Sequence, residues 1–378
     1  MNTQNQAQDN NVANLASVNA IDYNEKIKVD AHERFPEIFE PNQFEIAIRK
    51  HRHPNCQKPD KHYTPDADIL RKALAWWLAP AQPKPLGLVG ETGTGKTEML
   101  LFIADRFNEP VYIEKVTVGM SGERLEGSTE LVTDDSGNTV TRQRLSQAAT
   151  GYKDGGLVIL DEVDKANEDL STSLHLFVEG KPWTLSVFGQ TINKHPNCRI
   201  SATANTTGGG DSDRYITSQR LDQALRSRFG WLKTKYPSKA VEMEILVKNF
   251  PKLPISLRKK MVQTGDALRT AALGVNHDGK IDNPLGCVFS TRTLVHWGFY
   301  MMTFGLNRPP YESFEFSFLG SIDNDELEEV EAIVQRVWAD DINKPLKELL
   351  NEVVLVPILM ASWSLSSVTP FIGVLSAK

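Results

Sequence analysis

The chain has 378 residues, a formal net charge of −6 and three cysteines, Cys56, Cys198 and Cys287, set far apart. That length suits two domains with extensions, and the acidic balance speaks against a dedicated nucleic-acid binder, whose footprint is normally basic. An odd number of separated cysteines with no C-x-x-C pair fits a reducing, cytoplasmic compartment rather than a disulfide framework.

Residues 1–35 are expected to form a disordered tail, because the start is rich in Asn and Gln and shows no hydrophobic period. It has neither a basic n-region nor an apolar h-region, so no signal peptide is expected. Residues 36–64 are expected to be a linker or extension. Within them, His51, His53, Cys56 and His62 admit a zinc reading, but the spacing matches no recognised zinc pattern. The interspersed prolines and lysines favour a solvated linker. From Asp66 to Leu78 the spacing predicts an amphipathic helix with an acidic start, which Pro80 and Pro83 end.

The short apolar run Leu86–Val89 predicts a buried strand. It leads into Gly90-x-x-x-x-Gly95-Lys96-Thr97, followed from Glu98 by helical spacing. Strand, glycine loop and helix are the context a phosphate-binding loop requires. Glycines let successive backbone N–H groups turn inward to phosphate oxygens, and the helix adds its N-terminal N–H groups and dipole. Gly90, Glu91, Thr92, Gly93, Thr94, Gly95, Lys96, Thr97 and Glu98 are therefore the candidate nucleotide-binding residues. Lys96 is expected to reach the β- and γ-phosphates, and the Thr97 hydroxyl to join the shell of a Mg²⁺ ion.

Val111–Glu114 reads as a second strand. Thr129–Arg144 reads as a hairpin turning at Asp135–Asn138. Gly155–Glu162 predicts a central parallel strand with two carboxylates at its C-terminal end, where ligands gather in open α/β sheets. Asp161 is expected to hold the Mg²⁺ shell, and Glu162 to act on the attacking water as general base. Helix from Ser173, a second hairpin over Trp183–Ile192 and a buried strand over Arg199–Asn205 follow. The Asn205 amide, ending that strand, could orient water or contact the γ-phosphate; a turn-forming Asn is the plainer reading. The Gly208–Asp213 loop implies close backbone contacts or mobility. Ser218–Phe229 reads as a helix ending in Arg226 and Arg228, and Trp231–Tyr236 as the last strand.

From Ser238 the pattern turns helical. Ser290 or Thr291 could cap a helix with Arg292 in its first turn, where a lone cation opposes the dipole unless an anion is near. Asp323–Asp340 reads as an acidic amphipathic helix and Leu346–Val354 as another. Val353–Ala377 carries no charge, which allows a membrane span by length. Pro357, Pro370 and the missing basic flank favour a packed or interface-forming element instead.

Together these pieces resemble an AAA+ ATPase, with the phosphate loop, Leu157–Glu162, Asn205, Arg228 and Arg292 in the expected order. The two hairpins resemble those of the helix-2-insert clade that includes the MoxR ATPases. The stretches Ala202–Asp211 and Ser218–Ala224 are similar to the ATPase subunit of aerobic cobaltochelatase. The resemblance implies an α/β P-loop domain with a parallel sheet flanked by helices over 65–237, a small all-α lid over 238–308 and a mostly helical C-terminal extension over 309–378. It further implies ATP and Mg²⁺ as cofactors, Arg228 or Arg226 as a finger reaching the neighbouring subunit's nucleotide, and Arg292 as a lid sensor. A homo-oligomeric, typically hexameric ring and a partner carrying a von Willebrand factor A domain are implied as well. Nucleic acid and membrane are not expected partners. A nucleic-acid-stimulated NTPase and a non-hydrolysing, nucleotide-gated scaffold are the competing functions.

Overall fold

The computed structural model describes residues 21–79, 84–133, 137–206, 221–273 and 285–351. The chain opens with an antiparallel pair, β1 (Lys26–Asp30) and β2 (Glu45–Arg49), in the register Ile27↔Ile48 and Val29↔Ile46. Asp30 closes the first strand and caps the short helix Ala31–Arg34, its Oδ1 accepting from His32 N. Helix Ala67–Leu78 follows, capped by Asp66 and burying Leu70, Ala73, Leu74 and Trp77 on one face.

The α/β body then runs β3 (Leu86–Val89), helix Lys96–Arg106, β4 (Val111–Lys115), helix Gly122–Glu126 and the hairpin β5 (Gly127–Thr133) and β6 (Thr139–Leu145). Helix Gln147–Asp154, β7 (Gly156–Asp161), helix Glu168–Val178, the hairpin β8 (Trp183–Leu185) and β9 (Gln190–Ile192), β10 (Cys198–Ala204), helix Gln223–Arg228 and β11 (Gly230–Lys233) complete it. The main sheet has the order β11-β3-β10-β7-β4, every pair parallel.

The side chains of β7 alternate between the two faces of that sheet. Leu157 and Ile159 join the core under β1, β2 and helices Ala67–Leu78 and Lys96–Arg106, while Val158 and Leu160 join the core on the opposite face. A strand buried on both faces reads as an unbroken apolar run, which is what Leu157–Leu160 shows.

Three boundaries differ from the sequence expectation. Residues 26–35 do not belong to a tail: Ala31 and Phe35 are wholly buried, because Ile46 and Ile48 of β2 give this segment an apolar surface to pack on. Residues 36–64 are not a solvated linker. Buried Arg49 donates through Nε to Glu109 at 2.6 Å, and Cys56 is buried beside the Ala104 carbonyl. The histidines are not gathered round Cys56: His53 packs edge-on to Tyr23, and His51 faces Glu25. Lastly, no domain break falls at 308. Helices Pro310–Ser317, Asn324–Trp338 and Leu346–Asn351 share one core with Lys239–Asn249, Ile255–Leu273 and Thr291–Thr303. Trp338, fully buried, donates through Nε1 to Thr264 Oγ1 at 2.9 Å, and Trp297 Nε1 donates to the Pro310 carbonyl.

The expected tail over 1–20, the tip of the first hairpin, the Gly208–Asp213 loop and the uncharged stretch from Val353 lie wholly or mostly outside the described residues. Among the described residues no helix is long and apolar enough to cross a membrane.

Candidate nucleotide-binding site

The loop after β3 turns by means of two left-handed glycines, Gly93 (φ 78°) and Gly95 (φ 80°). Neither position tolerates a side chain. A Cβ on Gly93 would fall 2.4 Å from the Ser290 Cβ, and one on Gly95 would press on the Tyr63 ring at 3.0 Å. Gly95 is also the N-cap of helix Lys96–Arg106 and makes no side-chain cap, so the first N–H groups of that helix remain available to an anion.

Lys96 is 8 % exposed. Its Nζ donates to the Gly90 carbonyl at 2.7 Å, the Glu91 carbonyl at 3.0 Å and Asn205 Oδ1 at 3.1 Å. Burial pushes the ammonium down from 10.5 to about 8, against the opposing pull of Asp164 and Asp161. The next residue, Thr97, donates its hydroxyl to Asp161 Oδ1 at 3.0 Å, and Thr203 donates to the same oxygen at 2.7 Å. The phosphate loop and the acidic strand end therefore meet at a single carboxylate oxygen. That pairing of hydroxyl and carboxylate beside a buried ammonium suits a magnesium–triphosphate, since both oxygens are hard ligands.

Glu162 follows Asp161 in a left-handed conformation, φ 60°, uncommon for a residue with a Cβ. Its N–H donates to Thr203 Oγ1 at 3.0 Å, and its Oε2 pairs with Lys165 at 3.0 Å and Lys115 at 3.7 Å. Asn205 ends β10 at the loop: besides Lys96, its Oδ1 accepts from Thr92 Oγ1 at 3.4 Å. Fully buried Asp164 fixes that strand end by accepting from the Asn205 and Thr206 backbone N–H groups.

A cavity of about 270 Å³ opens from Gly93, Thr94 and Gly95 toward Tyr63, Ile245 and Arg292, with Glu98 on its wall. Glu98 also accepts from Asp60 N at 2.8 Å, which ties the N-terminal extension to the loop helix. Arg292 stands in the first turn of helix Thr291–Thr303, whose N-cap Ser290 accepts from Thr293 N. That turn is anchored by buried Glu242, which accepts from Thr291 Oγ1 at 2.9 Å and Arg269 Nη2 at 2.7 Å. Desolvation raises the Glu242 pKa despite the guanidinium. Arg269 lies over the Tyr236 ring, and Tyr236 donates its hydroxyl to the Thr92 carbonyl at 3.0 Å. Lid and phosphate loop are thus mechanically joined.

Ten of the sequence candidates in the loop and acidic strand, Gly90 to Thr97 with Asp161 and Glu162, sit together with Asn205; Glu98 and Arg292 share the adjoining cavity. Arg226 and Arg228 stand apart. They end the helix before β11, whose Gly230 pairs with Leu86 at the start of β3, whereas the phosphate loop leaves the far end of β3. Sequence reasoning missed Tyr63, Thr203, Thr234, Tyr236 and Asp164. Thr234 is buried, and its Oγ1 lies 2.9 Å from that of Thr94.

Parallel strand order, glycine loop and acidic strand end define a P-loop nucleotide-binding protein with a helical lid, and residues 85–229 match the family described as the AAA domain of the dynein-related subfamily. Residues 85–229 of the chain are an AAA domain. More particularly the chain is CobS-like: the aerobic cobaltochelatase subunit CobS of a Sinorhizobium species is 28% identical over 308 residues, spanning 78% of this chain and 87% of that one. DNA replication licensing factor MCM2 of Arabidopsis thaliana is 30% identical over 145 residues, 38% of this chain but 15% of that protein. The solved structure of NtrX from Brucella abortus overlaps at a TM-score of 0.39 and 15% identity, over 65% of this chain and 52% of that chain.

Proposed function

We propose that the chain is an ATP-hydrolysing motor of the MoxR and cobaltochelatase-subunit type, which works as a ring and remodels a partner protein. The observation that carries this reading is the convergence of the buried Lys96 ammonium with the Thr97–Asp161 pair, 3.0 Å apart, at the mouth of a glycine loop.

Bound Mg²⁺–ATP would supply a γ-phosphoryl group on which negative charge shifts during transfer; the chain's own task is to position and neutralise it. Lys96 exchanges its carbonyl partners for phosphate oxygens. Thr97 Oγ1 and Asp161 would hold the metal, which would neutralise phosphate charge. Glu162 takes a proton from the attacking water on its carboxylate, and the Asn205 amide orients that water or the γ-phosphate. Arg292 reads the phosphates from the lid. Arg228 serves the neighbouring copy's site, and Arg226 is the alternative finger.

Dependence on a neighbour's arginine makes hydrolysis a property of the assembly, in keeping with a hexameric ring. A partner with a von Willebrand factor A domain and a cytoplasmic setting belong to the same proposal. Likeness to CobS raises metal insertion as one use of the motion, though chemistry is better fixed by a site than a target is. The test is phosphate release with Mg²⁺ and ATP. Wild-type chain should release phosphate, and Glu162→Gln should retain bound ATP with little release. A Glu162→Gln variant that turns over like wild type would remove Glu162 from its role.

A further inference from the structure

The arginine assigned to the neighbour's site is not a free side chain. Arg228 ends helix Gln223–Arg228 and is itself partly covered; its Nε donates to Glu179 Oε1 at 2.7 Å and its Nη1 to the Ala224 carbonyl at 2.7 Å. The remaining nitrogen, Nη2, takes no partner among the described residues. Arg228 lies on the wall of an open cavity of about 530 Å³, lined also by Lys84, Lys181 and Lys194, with Glu179 its single acid among the described residues. Arg226, by contrast, turns its Nη2 to Gln223 on its own helix, at 3.2 Å, and does not line this cavity.

Glu179 is oddly placed for a carboxylate. It forms the C-cap of helix Glu168–Val178, where the dipole disfavours negative charge. Its side chain is 36% exposed and that of Arg228 28%, so their ion pair adds little to stability. What the pair does is geometric. Arginine's planar fork fixes all its donors once two are held, so binding Nε and Nη1 sets where Nη2 stands. The backbone beneath is pinned as well: Lys84 donates to the Ser227 carbonyl at 2.8 Å, and Trp231 Nε1 to the Arg226 carbonyl at 2.9 Å.

We infer that Glu179 is the positioning residue of the finger: it holds Arg228 so that Nη2 meets the terminal phosphate of the nucleotide bound by a second copy, received in this lysine-lined cavity. The inference rests on the proposed hydrolysis in trans and selects Arg228 over Arg226. A side chain held in advance loses no rotamer freedom when the copies close, and a displacement of about 1 Å at such a group can cost roughly a hundredfold in rate.

The experiment compares steady-state ATP turnover of the full chain and its variants at concentrations where the wild type is assembled. Glu179→Ala and Glu179→Gln should lower kcat by about ten- to a hundredfold with KM for ATP unchanged, and Glu179→Asp should recover part of the loss. A kcat that does not change, or a loss carried by KM alone, overturns the inference. Mixing provides the second readout. Glu162→Gln copies carry an intact finger beside a dead site, so adding them to Glu179→Ala copies should restore turnover to the Glu179→Ala sites. A loss that mixing does not rescue identifies a damaged subunit and overturns the positioning role. Arg228→Ala separates the two levels: if it abolishes turnover while Glu179→Ala does not, only the Glu179 inference fails; if neither changes turnover, the trans finger fails with it.

Discussion

Lys96→Met isolates what the phosphate loop is built to do. The Lys96 ammonium is almost fully buried, and burial lowers its pKa from 10.5 to about 8. Keeping it charged at pH 7 therefore costs about 3 kcal/mol relative to the unfolded chain. The sign follows directly: between pH 8 and pH 10.5 the unfolded chain holds a proton that the folded chain has shed, so stability without nucleotide should rise with pH across that window. Lys96→Met removes the buried charge but also three charge-assisted hydrogen bonds, to Gly90, Glu91 and Asn205, each worth roughly 1.5 kcal/mol or more. These two effects oppose one another at pH 7, so the slope is the diagnostic: the rise between pH 8 and pH 10.5 should be gone in the variant. Nucleotide gives a second comparison. At a concentration a hundred times its Kd, ATP should stabilise the wild type by about 2.7 kcal/mol and leave Lys96→Met where it was. Denaturant melts with and without Mg²⁺–ATP measure both. A variant whose stability without nucleotide still rises between pH 8 and pH 10.5, or one that ATP still stabilises equally, would refute the reasoning.

Two further outcomes follow from the same contacts. Thr97→Ala removes one of the two groups that meet at Asp161 Oδ1, so turnover should fall by about a hundredfold and the Mg²⁺ requirement for ATP binding should weaken; unchanged Mg²⁺ dependence would detach Thr97 from the metal. Glu242→Gln strips the counter-charge from Arg269, 7% exposed, and should destabilise the lid by about 3 kcal/mol; an unfolding midpoint within error of wild type would mean the pair is not what anchors the helix bearing Arg292.

Much of the α/β body was legible because its signals are local. The loop Gly90–Thr97 carries its whole pattern in eight positions, and Leu157–Glu162 joins an apolar run to two acids within six. Both hairpins could be placed because alternation and a turn lie within a short window; the first extends slightly beyond the expected Thr129–Arg144, to Gly127↔Leu145, and the second pairs Trp183↔Ile192. The opening strand pair was not legible: β1 reads Lys26-Ile27-Lys28-Val29-Asp30, a period-2 pattern only two apolar residues long, and its partner lies fifteen residues on. The lid was cut short at 308 since nothing in Arg308-Pro309-Pro310 tells that Trp297 and Trp338 pack in one core across it, with ring centroids 5.4 Å apart. At the site, the missed residues are single polar side chains brought in by tertiary packing. Thr203 matters only because β10 lies beside β7, and Thr234 only because β11 lies beside β3. A lone threonine carries no signature of either.

The central claim is that each nucleotide is hydrolysed between two copies, with loop and acids from one and Arg228 from the other. Turnover per chain, measured from below to above the assembly concentration with oligomeric state followed in the same samples, tests it most directly. The account predicts a steep rise that tracks assembly and is lost in Arg228→Ala; turnover per chain that stays constant through the assembly range would contradict it.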